Sequence, residues 1–454
     1  MRTLKVILAA VLLISVLIPG VFAAGKQETA EGKAVTLTIA TVNNPDMKVM
    51  EKLSPQFTEK TGTQLKWVIL PENELRQKIT EDVGLGAGKF DIVTIGMIEV
   101  QNWKDYGWIS SLQPHFDKMD PAAKQKYDLD DLMPSVTKGL TVKGELFALP
   151  FYAETSIVFY RKDLFVEKGL TMPEEPTWQQ IYDFAGKFHD PGNGFYGIAI
   201  RGLPGWGENM AVFPTMVNSF GGRFFDKNWK ATCDEPEFRE ALEFYKKIIK
   251  EVGEPGATGV GFTEGLTLMA QGNTAMWYDA SVAAGFLANP EESKVVGKVG
   301  YAKAPAVRKK NNGWLWSWNL AIESASKHKE EAFQFLTWAT SKDYIETVAG
   351  YKGWMSVPPG TRISTYNNNN YQKAADFSEL VLEGIRSAEY DKPSLKPVPY
   401  TGVQFLQIPE WPHLGTEIAQ VLAAYLADKY TTDEAINKMQ DLCNTIAKEG
   451  GYQK

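Results

Sequence analysis

The sequence is short of the residues that metal binding and nucleophilic chemistry use most. It holds two cysteines and four histidines in 454 residues. His115, His189, His328 and His413 are scattered, and no HExxH pair or GxSxG elbow occurs. "DLDDL" at 128–132 lacks the glycine and closing glutamate of a calcium loop. "GLGAGKF" at 84–90 is glycine-rich, but it follows a helical segment and lacks phosphate-loop spacing, so it reads as a helix stop and turn. Metal and nucleophilic chemistry therefore have no visible carrier, and no metal or cofactor is expected. Long basic runs are missing as well, and the formal charge is −7. Nucleic acid, which needs clustered Lys and Arg, is not an expected partner.

Long apolar runs are scarce. The one at 6–18 is too short to span a bilayer comfortably; Arg2 and Lys5 precede it, and Val21-Phe22-Ala23 follows with small residues at the two positions a signal peptidase reads. It reads as a secretory signal peptide (1–23) cleaved near Ala23. No cysteine stands at the cleavage site, so a lipid anchor is not expected and the mature chain is placed in the periplasm. Residues 24–34 are small, polar and charged, and read as a tether. Cys233 and Cys443 then meet an oxidising compartment, where a disulfide is permitted but not demanded. Cys443 falls on the apolar stripe Ile436, Met439, Leu442, Cys443 and Ile446, which suits a buried thiol equally well.

Aromatics, by contrast, are plentiful: 13 Trp, 18 Tyr and 23 Phe. A chain of this length calls for two domains or lobes. Val35, Leu37 and Ile39 alternate with polar residues as a strand does. Residues 45–61 have helical spacing and stop at Gly62. Residues 65–70 and 91–95 are strands, with a helix over 72–85 between them. This β-α-β-α-β order predicts an α/β lobe with a mainly parallel sheet. Ligands in such sheets bind beyond the carboxyl ends of the strands. The loops "TVNNPDM" at 41–47 and "GMIEV" at 96–100 hold that position, and Asn43 and Asn44 can each donate and accept there. Farther on, Phe238 to Val252 form an amphipathic helix, and Thr431 with Glu434 makes a capping box.

The remaining signals are clusters of aromatic and polar residues. "LPFYAETSIVFYRKDLF" at 149–165 carries Tyr152 and Glu154. "RGLPGWGENM" at 201–210 carries Arg201, Trp206, Glu208 and Asn209. "GNTAMWYDASVAAG" at 272–285 reads as a short strand through Trp277, with Asp279 entering a helix. "NGWLWSWNLAI" at 312–322 spaces Trp314, Trp316 and Trp318 by two, which in a strand puts three indoles on one face. "GTRIS" at 360–364 supplies Arg362. Sugars and polyols have C–H faces that pack on indoles, and hydroxyls that need carboxylates, Arg and Asn.

With these segments in this order, the chain resembles the extracellular solute-binding proteins of ABC importers, of the maltose-binding-like class, closest to the sorbitol/mannitol (polyol) branch. The resemblance runs from about 35 to 450. It implies a two-lobed periplasmic binding protein fold, with strand hinges and a ligand cleft between the lobes. By that analogy the chain crosses near 147–152, 300–305 and 341–344. Lobe I is then 35–149 with 303–342, and lobe II is 150–302 with 343–454. The resemblance places Asn43, Met97, Glu154, Arg201, Trp206, Trp277, Asp279, Trp316 and Arg362 at or near the cleft. Trp316 is expected to face ligand, and Trp314 and Trp318 to pack. The implied function is capture of a sugar alcohol or monosaccharide for import, without enzyme activity. The implied partners are a small neutral polyol or sugar and the ABC transporter permease subunits, with the binding protein itself a monomer. Two alternatives stand beside it: a secreted glycoside hydrolase pairing Glu154 with Asp279, and a binding protein for an oligosaccharide. With carboxylates of ordinary pKa, affinity is expected to be nearly flat between about pH 6 and 8.

Overall fold

The computed structural model describes residues 34–453. The signal peptide and all but the last residue of the tether lie outside them. Strand β1 (Thr36–Val42) buries Leu37 and Ile39 completely and leaves Thr36 exposed, as a period of two dictates. It pairs in parallel with β2 (Gln64–Leu70) and β3 (Ile92–Gly96). The helix expected over 45–61 is two helices, Pro45–Leu53 and Pro55–Thr61. Pro55 has no N–H to continue the ladder, but it suits the first position of a new helix. Gly62 closes the second helix at φ 78°, a conformation that glycine adopts without a Cβ clash.

A two-residue hairpin, β4 (Thr141–Val142) and β5 (Glu145–Leu146), precedes β6 (Leu149–Glu154). After Thr155 the chain enters a second sheet through β7 (Ser156–Arg161), β8 (Tyr196–Ala199), β9 (Thr274–Ala280) and β10 (Val299–Lys303). It returns to the first sheet as β11 (Trp316–Ile322). The sheet orders are β2-β1-β3-β11-β6 and β10-β7-β9-β8. In each sheet the strands run mainly in one direction, as expected, with one strand reversed. β11 runs antiparallel to β3 and β6, and β7 antiparallel to β9 and β10. The cause is topological: β11 comes back from the second sheet at the carboxyl ends of β1 and β3, so it must run down against them.

The crossings also differ from the expected ones. β6 belongs to the first sheet, so the first crossing is at Thr155. The second occupies 304–315. At 341–344 the chain does not cross. Ser341 caps a new helix, Lys342–Lys352, its hydroxyl accepting from the Tyr344 N–H at 3.0 Å. Tyr344 packs on Phe151, with ring centroids 5.9 Å apart, and Lys342 pairs with Asp128 at 2.7 Å. The chain stays beside the first sheet through Arg362, which bonds the Thr340 carbonyl. It has reached the second by Phe377, which packs on Tyr301 of β10.

The helix Pro236–Val252 buries the whole predicted stripe from Phe238 to Val252, and Thr431 and Glu434 cap the helix Thr432–Glu449 reciprocally. β9 is longer than the short strand expected. Asp279 therefore lies within the sheet opposite Ile157 and does not enter a helix.

Candidate functional site

The two sheets meet over a cavity at the carboxyl ends of β1 and β3, lined from both sides. Asn44, Glu72, Tyr152, Glu154, Trp316 and Trp318 come from the first-sheet side; Arg201, Phe262, Gln404 and Phe405 come from the other. The space left free for a water-sized molecule is only about 20 Å³, so the walls stand almost closed on one another.

The floor is aromatic. Trp316 meets Trp318 edge-on at 5.5 Å and Phe405 at 5.3 Å. Gly96, the last residue of β3, makes this arrangement fit. A Cβ there would stand 1.8 Å from the Trp316 ring, so only glycine lets the indole lie over the strand end. Trp314 departs from the expected single face. It precedes β11 and packs against Tyr278 of the second sheet, at 6.0 Å. The alternation rule applies only once the strand has begun.

Two arginines organise the polar walls. Arg201, just past β8, grips Asp279 with two bonds of 2.8 and 2.6 Å and donates to the Gly207 carbonyl at 3.0 Å. Burial opposes its charge, but Asp279, with Glu208 and Glu72 adding to it, outweighs burial, and the pKa is raised above the ordinary value. Arg76, on the helix Glu72–Leu85, binds Glu72 at 2.9 Å and Glu99 at 2.8 Å. Its guanidinium lies 3.7 Å from the centre of the Trp206 ring and 4.9 Å from that of Trp318. Gly207 abuts Glu72 so closely that a Cβ would fall 1.9 Å from its Oε1. The loop 201–208 and the helix Glu72–Leu85 are thus fitted together across the cavity.

The carboxylates are poorly compensated. Glu154 Oε2 is buried and has no hydrogen-bond partner among the described residues. Burial pushes its carboxyl well above the usual range; Arg201 opposes that shift and Asp279 adds to it. Burial, reinforced by Glu72, pushes Glu208 up to about 8. Gln404 Oε1 is likewise buried without a partner. Asn44 donates to the Tyr152 hydroxyl at 2.7 Å, leaving the phenol hydrogen free to point elsewhere. Burial, with Glu154 adding to it, keeps that phenol neutral. The cavity therefore offers apolar ring faces beside unspent acceptors and donors, the surface that a neutral, many-hydroxyl molecule can satisfy.

Of the expected residues, Glu154, Arg201 and Trp316 line this cavity. Asp279 stands behind Arg201, and Trp206 behind Arg76. Asn43 does not line it; its neighbour Asn44 does. Three lie elsewhere. Met97 packs against Gly139 and lines a separate crevice with Leu315, Tyr390 and Gln407. Trp277 is fully buried in the second sheet, stacked on Phe159 at 5.1 Å. Arg362 is fully buried against Asp131 at 3.1 Å and over the Tyr127 ring at 4.8 Å. The paired-carboxylate alternative also loses its geometry: both Asp279 oxygens serve Arg201, Oδ1 also takes the Ala280 N–H, and the residue has no exposed surface. Several lining residues were missed. Glu72 and Arg76 read from sequence as an ordinary i,i+4 surface pair, and nothing in the sequence ties Gln404 and Phe405 to strands hundreds of residues earlier. Trp318, expected to pack, lines the cavity as well.

Residues 41–346 match the family model described as bacterial extracellular solute-binding protein. The chain is 46% identical over 423 residues to a mannitol-binding protein of Pseudomonas aeruginosa, covering 93% of this chain and 95% of the relative. Its structure is similar to an ABC transporter solute-binding protein from Agrobacterium vitis crystallised with bound D-mannitol, with TM-score 0.89, 49% identity, and coverage of 93% and 100%. It is also similar to one from Agrobacterium radiobacter in complex with ribitol, with TM-score 0.79, 27% identity, and coverage of 91% and 98%. With the two-lobed architecture, the cleft and these matches together, the chain belongs to the bacterial extracellular solute-binding proteins.

Proposed function

We propose that the protein captures a small neutral polyol, of hexitol or pentitol size, and hands it to the membrane subunits of an ABC importer without altering it. The observation that carries this is the buried, unpartnered Glu154 carboxyl beside the Trp316 and Trp318 rings. A buried polar group without a partner costs about 1–3 kcal/mol, which a ligand hydroxyl offsets. The ring faces take the C–H surface of the same molecule. The relatives that carry mannitol and ribitol favour the same ligand class.

The binding residues in this proposal are Asn44, Glu72, Arg76, Tyr152, Glu154, Arg201, Trp316, Trp318 and Gln404, with Asp279 and Trp206 positioning the two arginines. One lobe is 35–154 with 316–362, and the other is 156–303 with 377–453. The mature protein begins after Ala23 and works as a monomer in the periplasm.

Calorimetry against mannitol, glucitol, ribitol, glucose, maltose and maltotriose tests this. A polyol should bind one to one and outcompete the oligosaccharides. Binding of maltotriose alone, or turnover of any glycoside, would sink the proposal.

A further inference from the structure

Both cysteines stand apart from the cleft. Cys233 follows the bridged pair Phe225 and Ala231, and Cys443 lies on the buried stripe of the helix Thr432–Glu449. Their Sγ atoms are 3.8 Å apart, and neither residue has any exposed surface. Polar contacts around them fix this approach. Gln440 accepts from the Cys233 N–H at 2.7 Å and donates to the Ala231 carbonyl at 2.8 Å, while Asn444 accepts from the Ala231 N–H at 3.3 Å. Gln440, Cys443 and Asn444 share one helix face, so the helix presents its thiol to Cys233 in a set register.

We propose that Cys233 and Cys443 form a structural disulfide as the chain folds outside the cytosol, tying the C-terminal helix to the segment 231–233. This rests on the proposed export. The oxidant is a disulfide, either of a thiol–disulfide oxidoreductase or of glutathione. One cysteine thiolate attacks a sulfur of that disulfide and expels one oxidant thiol. The other cysteine then attacks the mixed disulfide and expels the second. Two protein thiols become one S–S bond, and the oxidant leaves as two thiols carrying the two electrons and two protons. The bond must form before the helix finally docks. In the folded chain burial seals the pair, and it holds the Cys233 thiol well above its ordinary pKa, so little reactive thiolate remains. From van der Waals contact the sulfurs need only close to about 2.05 Å. The bridge spans 210 positions, so it constrains a long stretch of the unfolded chain.

The test refolds the full mature chain from the reduced, denatured state in a glutathione redox buffer, then denatures, alkylates and weighs it. The expected product is monomeric, lighter by two hydrogens and closed to alkylation, with a melting temperature about 5 °C above the same chain refolded in reductant. The single variants Cys233→Ser and Cys443→Ser should lose that difference. Protein taken from the exported fraction should already carry the bridge. Two alkylatable thiols in the exported protein would overturn the proposal. Refolding probes the pairing apart from export, and a dimeric bridge or no bridge there would also overturn it. Polyol calorimetry on the same samples reads the binding proposal separately.

Discussion

Trp277 and Trp316 make an instructive pair. Both sit on strands whose every residue is buried, β9 and β11, and both lie within a few residues of a cavity-lining position. Trp277 is three residues before the cavity-lining Ala280, deep enough that Phe159 and Phe262 cover its ring and Gly265 makes room for its indole edge. Trp316 is the first residue of β11. Because β11 runs antiparallel to β3, its beginning coincides with the carboxyl end of its neighbour, where sheets of this kind bind ligand. Depth along the strand and strand direction separate an anchor for ligand from a plug in the core. Residue type and alternation are the same for both.

The comparison breaks most easily at Trp277. Trp277→Ala should lower stability by about 3–5 kcal/mol, because it empties a packed interior. Polyol affinity, measured well below the reduced melting temperature, should stay within about twofold of the parent. A large affinity loss with intact folding would mean that the second sheet contributes ring contacts after all. Arg362 extends the argument to charge. Arg362→Met takes the donor from the Thr340 and Asp128 carbonyls, leaves Asp131 with only Ser364 and Lys342, and should cost about 3 kcal/mol of stability in a denaturant titration, with affinity unchanged. Any specific loss of polyol binding would restore Arg362 to the cleft.

Trp316→Ala should do the converse. Loss of a buried aromatic anchor should weaken polyol binding by about 1–3 kcal/mol in calorimetry. Gly96→Ala should produce a similar loss from the other side of the contact, by driving the indole off the strand end. If Gly96→Ala binds as tightly as the parent, the ring does not need the position the structure gives it.

These pairs also mark how far sequence reasoning reaches. The first β-α-β-α-β run, the stripe from Phe238 to Val252 and the Thr431 cap were legible because each is a local pattern. Glu154 and Arg201 came from the resemblance, and both line the cavity. The reversal of β11 was not legible, since it depends on where that strand re-enters after the crossing. Nor was the link between Arg76 and Trp206: a salt-bridged helix residue and a loop indole meet only when the two halves of the fold come together. The resemblance that placed Arg362 and Trp277 near the cleft located the right segments, but it could not say which way each side chain turns.

The smallest effect concerns pH, and it revises the flat profile expected for ordinary carboxylates. Glu208 is pushed up to about 8 and Asp46 to about 7, each chiefly by burial. Glu154 is raised for the same primary reason. A carboxyl whose folded pKa exceeds its unfolded value holds its proton more tightly in the native state. Its contribution is fully present below the unfolded pKa and is lost as pH rises through the folded one. For Asp46 that window runs from its ordinary 3.8 to about 7, and for Glu208 from 4.5 to about 8. Stability of the ligand-free protein should therefore fall between pH 6 and 8, by at most about 1.4 kcal/mol per pH unit for each proton involved. Binding should follow the same sign. A protonated Glu154 can donate to one ligand hydroxyl through its O–H and accept from another, whereas the ionised form brings an uncompensated charge into the closed cleft. Affinity should decline as pH rises through the raised Glu154 pKa, and calorimetry in buffers of different ionisation enthalpy should register proton uptake on binding. Glu154→Gln, neutral at every pH and still able to donate and accept, should flatten the affinity profile, and Glu208→Gln should flatten part of the stability profile. An affinity independent of pH in the parent, with no proton uptake, would show that Glu154 binds ligand as a carboxylate and that Arg201 compensates it more fully than their geometry implies.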